Sequence, residues 1–151
     1  MALRSVVKIG DDILRKKCRE VTKFDERLGE LLDDMYETMM ANNGVGLAGP
    51  QVGMLRRIAV IDIRDNKHGR IELINPVIEH QGGSQTGAEG CLSLPNDVRE
   101  VERPMIVTVK AQDRHGNEFT ITGEGMLARA LCHEIDHLDG VLFIDKAVMP
   151  K

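Results

Sequence analysis

The sequence predicts an α+β fold, in which antiparallel or mixed β-sheets pack around a central C-terminal helix and one long helix lies near the N-terminus. Three observations support this prediction. Apolar residues recur at helical spacing over 25–40 and again over 124–140. Between these segments, residues 57–122 hold short apolar and β-branched runs separated by turn-forming residues. The motif HEIDH at 133–137 then places two histidines one helical turn apart near the end of the chain.

Length and composition indicate a single domain over 1–151. A chain of 151 residues that is 42% hydrophobic and 29% charged can bury one core and is ordinary for a globular protein. Its net charge of −4 argues against nucleic acid or an anionic membrane as a main partner. We find no apolar run suited to a secretion signal or a membrane span. The cysteines Cys18, Cys91 and Cys132 are scattered, so we expect a reducing cytoplasm without a disulfide framework.

The N-terminal part of the chain is predicted to be helical. Residues 11–19 are compatible with a short helix, and a longer helix is predicted over 25–40. The sequence Asn-Asn-Gly at 42–44 supplies the stop of the longer helix. Its apolar positions are Leu28, Leu31, Leu32, Met35 and Met39.

A glycine-rich stretch, GVGLAGPQVG, follows at 44–53. Its first residues match G-x-G-x-x-G, but that dinucleotide fingerprint must follow a strand and open a helix. Here a helix comes before and an apparent strand comes after, so we do not expect phosphate binding. The stretch instead offers bare backbone that a ligand can approach closely, and one amide side chain, Gln51, that can donate a hydrogen bond.

Residues 57–122 are predicted to be mainly β, with turns or loops at 66–69, 81–84 and 114–117. The last two strands of this region should form a hairpin. One more short strand is expected after the C-terminal helix. The predicted strands are 57–63, 71–78 with a bend at Asn75-Pro76, 105–109, 118–122 and 141–144.

The C-terminal helix is predicted from about Glu124 to a stop at Gly140. Residues four apart on a helix share a face, so His133 and His137 point at one place, as two ligands of a divalent metal do. Glu134 lies beside the first histidine, where a carboxylate can take a proton from water at such a metal. Helical histidines also occur without a metal, so this interpretation requires a third ligand.

The third ligand is expected upstream of the helix. The fourteen residues after His137 contain neither His nor Glu. Cys91, which lies between turn-forming residues, is the best candidate, although it could also be a buried, inert cysteine. Cys132 points about 100° away around the helix and is expected in the core. Cys18 lies in a charged segment that looks exposed, and we assign it no role.

A site of one cysteine and two histidines leaves at least one coordination position open, as a catalytic site requires. These ligands suit Fe(II), Zn, Co or Ni and do not choose among them. The residues alone leave two other classes of protein open, an endopeptidase and a non-enzymatic metal-binding module. The missing downstream ligand argues against an endopeptidase of the wider HExxH type. Glu134, which is not needed for ligation, and the open position argue against a non-enzymatic module with a structural metal.

Three segments resemble, in the right order, the three motifs of the peptide deformylase family: GVGLAGPQ at 44–51, EGCLS at 89–93 and HEIDHLDG at 133–140. The resemblance extends over nearly the whole chain. Two positions depart from the family pattern. Gly49 stands where the family usually has alanine, and we expect it to loosen the first loop. Cys132 stands where the family usually has glutamine and deletes a polar contact beside a ligand.

The resemblance implies hydrolysis of a linear amide bond, namely removal of the N-formyl group from the N-terminal methionine of new polypeptides with release of formate. It implies Glu134 as general base and acid, with Fe(II) as native ion and Zn, Ni or Co as alternatives in purified protein. Gln51 and the Leu92 backbone N–H would stabilise the developing oxyanion. The implied metal ligands are Cys91, His133 and His137.

We expect an apolar pocket for the methionine side chain, because two helix residues before the ligands share the His133 face. Backbone groups at the start of the glycine-rich stretch would pair with the peptide as an added strand. The expected substrate-binding residues are Val45, Gly46, Met126 and Ala130. The expected partners are nascent N-formylmethionyl peptides in the cytoplasm, with no nucleic acid and no membrane. The resemblance leaves ribosome proximity open, because the C-terminal helix with which some members dock on the ribosome is not evident before Lys151.

Overall fold

The computed structural model describes residues 2–148 and confirms the α+β prediction. Short 3-10 turns occur at Asp12–Arg15, Gly49–Val52 and Phe143–Lys146. Within the described range, no helix is both long and apolar enough to cross a membrane. In chain order the helices and strands are α1 (Glu26–Ala41), β1 (Gly46–Ala48), β2 (Ile58–Ile61), β3 (Ile71–Gly82), β4 (Gln85–Cys91), β5 (Leu94–Arg103), β6 (Ile106–Gln112), β7 (Glu118–Glu124) and α2 (Met126–Leu138).

The strands form two antiparallel sheets. One has five strands in the order β1-β2-β3-β6-β7, and β4 and β5 form a separate hairpin. The predicted hairpin near residue 110 is confirmed as β6–β7, with Val109 opposite Ile121. Because β1 lies at one edge of the larger sheet, its outer side has no strand neighbour among residues 2–148.

Helix α2 contacts β1, β2, β6 and β7, and its apolar face packs on the larger sheet. Leu127, Leu131 and Ile135 follow the helical period and pack in one buried cluster with Leu73 and Val109. This packing fixes the rotation of α2 about its own axis. The opposite face, which carries the histidines, is therefore turned towards β4.

Helix α1 covers another part of the larger sheet. Asp25 caps its N-terminus by accepting a hydrogen bond from the Leu28 backbone N–H at 3.1 Å. Met35 and Met39 are fully buried with Leu47. The predicted helix over 25–40 is thus confirmed, and Met35 and Met39 fill the core as expected.

The β4–β5 hairpin was not predicted from the sequence. Most residues of both strands are exposed or half-buried, so the alternation of apolar and polar residues that marks a strand is weak there. Strand β3 continues to Gly82, so the predicted loop at 81–84 shrinks to a two-residue turn. This hairpin matters for function because it carries Cys91.

The predicted bend at Asn75-Pro76 is confirmed as a register shift inside one strand, where Asn75 has φ 52° and its side chain bonds to Val21 and Gln112. Three other predictions need correction. The prediction of a strand over 141–144 is wrong, because the buried residue Phe143 begins a 3-10 turn. The helix over 11–19 is only a 3-10 turn. Cys18 is buried.

Candidate metal centre

The three predicted metal ligands lie together. One ligand atom from each of Cys91, His133 and His137 falls within 4.8 Å of the other two. Cys91 Sγ lies 3.3 Å from His137 Nε2, and the two imidazole centroids are 5.1 Å apart. Cys91 ends β4, whereas both histidines come from one turn of α2. The cluster therefore depends on tertiary packing and on helical spacing together.

Both histidines are buried, and their pKa values move in opposite directions. Burial and the neighbouring charge of His133 hold the pKa of His137 well below its usual value. For His133, burial lowers the pKa, but the Glu134 carboxylate and hydrogen bonds to Cys91 and Glu89 outweigh burial and raise it to about 10. Since an imidazole ligates a metal only when neutral, a bound cation would have to displace the His133 proton.

Glu134 lies beside the cluster without belonging to it. Its side-chain oxygen Oε2 is 3.9 Å from His133 Nε2, and its other oxygen, Oε1, is buried with no hydrogen-bond partner among residues 2–148. Burial raises the pKa of Glu134 to about 7. A carboxyl group with that pKa can both accept and return a proton near neutral pH. Gly46 allows this placement, because a Cβ there would collide with the Glu134 carboxylate.

Glu89 contacts His133 on the side of the ring that faces away from the cluster, and the sequence interpretation missed this role. Its Oε1 accepts a hydrogen bond from His133 Nδ1 at 2.8 Å, which leaves Nε2 facing the cluster. Arg103 donates two hydrogen bonds of 2.9 Å to the same carboxylate, and Arg129 donates one of 2.6 Å. A carboxylate bonded to the far nitrogen of a ligating histidine fixes the ring orientation. No signal in the sequence revealed this role, because the alternation that marks a strand is weak in β4 and the pairing register shifts between Glu89 and Cys91.

Acid is expected to weaken the fold through Glu89. Burial raises its pKa, but hydrogen bonds from Arg103 and His133 outweigh burial and lower it from 4.5 to about 2. A depressed folded pKa means that the stabilisation is complete above about pH 4.5 and is lost as the pH falls towards 2. The loss should reach about 2 kcal/mol by pH 3 and about 3 kcal/mol in total at still lower pH. Urea unfolding of metal-free protein near pH 6 and near pH 3 measures the first of these losses. Glu89→Gln should flatten this dependence, and an equally steep decline in the variant would contradict the assignment.

Gln51 and Ser93 lie against the cysteine. Gln51 is buried, its Oε1 accepts from the Ala48 backbone N–H at 2.9 Å, and its Nε2 faces Cys91 Sγ at 3.3 Å and Ser93 Oγ at 3.1 Å. These contacts hold the amide donor beside the ligand cluster. Leu92, the other predicted oxyanion donor, lines the adjoining cavity.

A cavity of about 560 Å³ opens onto this cluster. All four predicted substrate-binding residues line it, but they differ in exposure. Ala130 is buried, whereas Met126 is 55% exposed. Arg129, which the sequence interpretation did not select, also lines the cavity. The predicted residues in the wall are Val45, Gly46, Met126 and Ala130, together with Cys91, Leu92, His133 and Glu134.

The donor chemistry fits a divalent transition metal. A thiol and two imidazoles are the usual ligands of such ions, and Glu134 supplies next to them an oxygen without a hydrogen-bond partner in the part of the chain that the structure describes. Cys132 is buried in the apolar core, as predicted, and burial raises the pKa of its thiol to about 11. Gly49, the other departure, is buried where a Cβ would lie 2.6 Å from the Met54 carbonyl oxygen. This backbone therefore has no room for an alanine at Gly49.

Comparison with known proteins gives a consistent result over nearly the whole chain. The family model for polypeptide deformylase matches residues 3–151. A peptide deformylase of Caldicellulosiruptor bescii is 61% identical over 98% of this chain and 87% of its own length. Another, from Thermoanaerobacter pseudethanolicus, is 57% identical over 98% of this chain and 91% of its own.

Solved structures agree with the sequence comparison. A peptide deformylase from Legionella pneumophila superposes with a TM-score of 0.93 at 47% identity, over 98% of this chain and 87% of that one. A peptide deformylase from Thermotoga maritima gives a TM-score of 0.93 at 40% identity, over 97% and 99%. From its sequence, its fold and its site, the chain belongs to the polypeptide deformylase family of hydrolases.

Proposed function

We propose that this protein removes the N-formyl group from the N-terminal methionine of newly made polypeptides in the cytoplasm and releases formate. One observation carries the proposal. In a chain of the polypeptide deformylase family, Cys91, His133 and His137 meet beside the buried carboxylate of Glu134, at a cavity large enough for a peptide end. A water-accessible cluster of this kind is the expected arrangement for metal-assisted amide hydrolysis.

We assign the metal to Cys91, His133 and His137, with Fe(II) as the native ion and Zn, Ni or Co as substitutes that suit the same ligands. When bound, such an ion supplies Lewis acidity, which makes a hydrolytic nucleophile available near neutral pH. Elemental analysis of anaerobically purified protein identifies the native ion, because Fe(II) and a cysteine ligand are both sensitive to oxidation.

The proton transfers fall to Glu134. It accepts the proton of the attacking water and later delivers it to the nitrogen of the departing amine, which leaves as the free N-terminus of the peptide. Its raised pKa of about 7 suits both transfers. Gln51 Nε2 and the Leu92 backbone N–H are the proposed donors to the negative charge that develops on the formyl oxygen. Each such donor typically contributes about 3–4 kcal/mol to the barrier reduction.

The peptide is proposed to bind as an added strand. Strand β1 is an edge strand of the larger sheet, and Val45 and Gly46 at its start line the cavity. Main-chain groups at a free edge can pair with an extended peptide, which gives affinity without dependence on sequence. The methionine side chain would then enter the pocket beside Ala130 and Met126.

Enlarging Ala130 is expected to change selectivity. Ala130 is buried in the cavity wall on the His133 face of α2, so Ala130→Leu should fill space that the methionine side chain needs. We expect kcat/KM for formyl-Met-Ala-Ser to fall by about 10-fold or more, because one or two methylenes in such a pocket are worth 10–200-fold. The value for formyl-Ala-Ala-Ser should fall much less. An unchanged ratio of the two would contradict the pocket assignment.

Formate release from formyl-Met-Ala-Ser tests the proposed function, with unblocked Met-Ala-Ser and an internal peptide as comparisons. The proposal expects formate from the first peptide and no cleavage of the other two. Cleavage of an internal peptide bond without formate release would instead support an HExxH endopeptidase. Neither product from metal-loaded protein would contradict both.

A further inference from the structure

We infer that the cleft favours formylated peptides with acidic side chains in the two residues after methionine, and that Lys8 is the main specificity-determining residue. This inference rests on the proposed function, because it requires a formylated peptide bound in the cavity that Lys8 lines. It concerns a part of the substrate that the reacting groups do not touch.

Among the described residues that line the cavity, Lys8 is the one exposed side chain that carries a charge. Glu89 and Arg129 pair with each other at 2.6 Å, and Glu89 is buried. Glu134 is only 3% exposed and lies beside the metal ligands. Lys8 is exposed and lines the same cavity. Among the lining residues in the described chain, no exposed carboxylate offsets its charge.

The backbone holds Lys8 at this position. The N–H groups of its neighbours Val7 and Ile9 donate to the carbonyl oxygens of Gln51 at 2.7 Å and Ser93 at 2.8 Å. The Lys8 ammonium itself donates to the Leu92 carbonyl at 3.1 Å. An ammonium has three N–H donors, so the others are available to a substrate group. The charge therefore lies on the Leu92 wall, beside a proposed oxyanion donor.

A second cation is bonded to another residue that lines the cavity. Arg64 is exposed and donates a hydrogen bond of 2.7 Å to the Gly44 carbonyl, and Gly44 lines the cavity. The adjacent Asn42 and Asn43 are uncharged and also line it. Lys8 and Arg64 thus each donate a hydrogen bond to the carbonyl of a lining residue. Two exposed cations therefore border the cavity, although the chain carries a net charge of −4.

The expected effect is moderate and depends on salt. Charges at a binding rim act mainly on association and are screened over about 8 Å at physiological ionic strength. One exposed cation and one acidic peptide side chain that lie within about 8 Å of each other should change kcat/KM by about threefold. Two cations acting on two acidic side chains should favour an acidic peptide over a basic one by about 10-fold or more at low salt.

The test compares kcat/KM for three amidated peptides, formyl-Met-Glu-Glu, formyl-Met-Gln-Gln and formyl-Met-Lys-Lys, at low and at physiological salt. Amidation removes the terminal carboxylate. The variants are Lys8→Gln, Lys8→Glu, Lys8→Arg and Arg64→Gln. Lys23→Gln is the matched control, since it removes the same charge from a side chain that is 85% exposed and does not line the cavity.

Wild type should prefer the glutamyl peptide, and high salt should weaken the preference. Lys8→Gln and Arg64→Gln should each reduce the preference by about threefold or more, Lys8→Glu should abolish or reverse it, and Lys8→Arg should retain it. Equal kcat/KM for all three peptides in wild type, or an equal loss in Lys23→Gln, would overturn the inference alone. No formate from any peptide would overturn the proposed function and this inference with it.

Discussion

Replacing Glu134 with glutamine is expected to lower kcat for formate release by about 10²–10⁴-fold while metal content and fold are retained. Glutamine has nearly the same shape but cannot accept the proton of the attacking water. Glu134 lies outside the cluster of three ligand atoms, so its charge is not needed for ligation. Its Oε1 has no partner among residues 2–148, so the substitution breaks no hydrogen bond made by that oxygen.

The measurement is single-turnover formate release, together with metal analysis and thermal unfolding of the same preparation. Glu124→Gln is a suitable control, because Glu124 is exposed at the end of β7 and lines no part of the cavity. It should behave as wild type. Turnover of Glu134→Gln within a few-fold of wild type would mean that another group moves the proton.

Cys91→Ala is expected to abolish stable metal binding and, with it, formate release. Removing a group that only hydrogen-bonds to a ligand typically lowers metal affinity by 10–100-fold, so loss of the thiolate should cost at least about 100-fold. Cys91 is only half-buried at the end of β4, so we expect the metal-free fold to persist. Elemental analysis after dialysis, with formate release on the same sample, measures both effects.

Cys132→Ala provides the matched control for the cysteine. Cys132 immediately precedes His133, yet it is buried with Leu131 in the apolar core. The control should keep full metal content and turnover and should lose some stability, because truncation leaves a small cavity. Metal retained in Cys91→Ala, or lost in Cys132→Ala, would contradict the ligand assignment.

The sequence was informative where the chemistry follows local geometry. Helical spacing alone placed His133 and His137 on one face, and the short remainder of the chain directed the search for a third ligand upstream to Cys91. Packing then joined these segments as expected. The apolar residues of α1 and α2 recur with equally clear helical spacing. The predicted ends of both helices therefore lie within one or two residues of the observed ends.

The sequence failed where long-range pairing decides the structure. Arg103 reaches Glu89 only because β4 and β5 pair, with Glu89 opposite Arg99, and their mixed exposure hides that hairpin. Cys18 looked exposed among charged neighbours but is buried against Ala48 and Leu138. Local charge does not report such contacts between distant segments.

Anaerobic titration of metal-free protein with Fe(II), with bound ions per chain and formate release recorded together, tests the central claim most directly. A cluster of three ligand atoms beside one carboxylate predicts that activity rises in proportion to bound metal and reaches its maximum at one ion per chain. Formate release at its full rate before metal is added, or no formate release when one ion is bound per chain, would contradict the central claim.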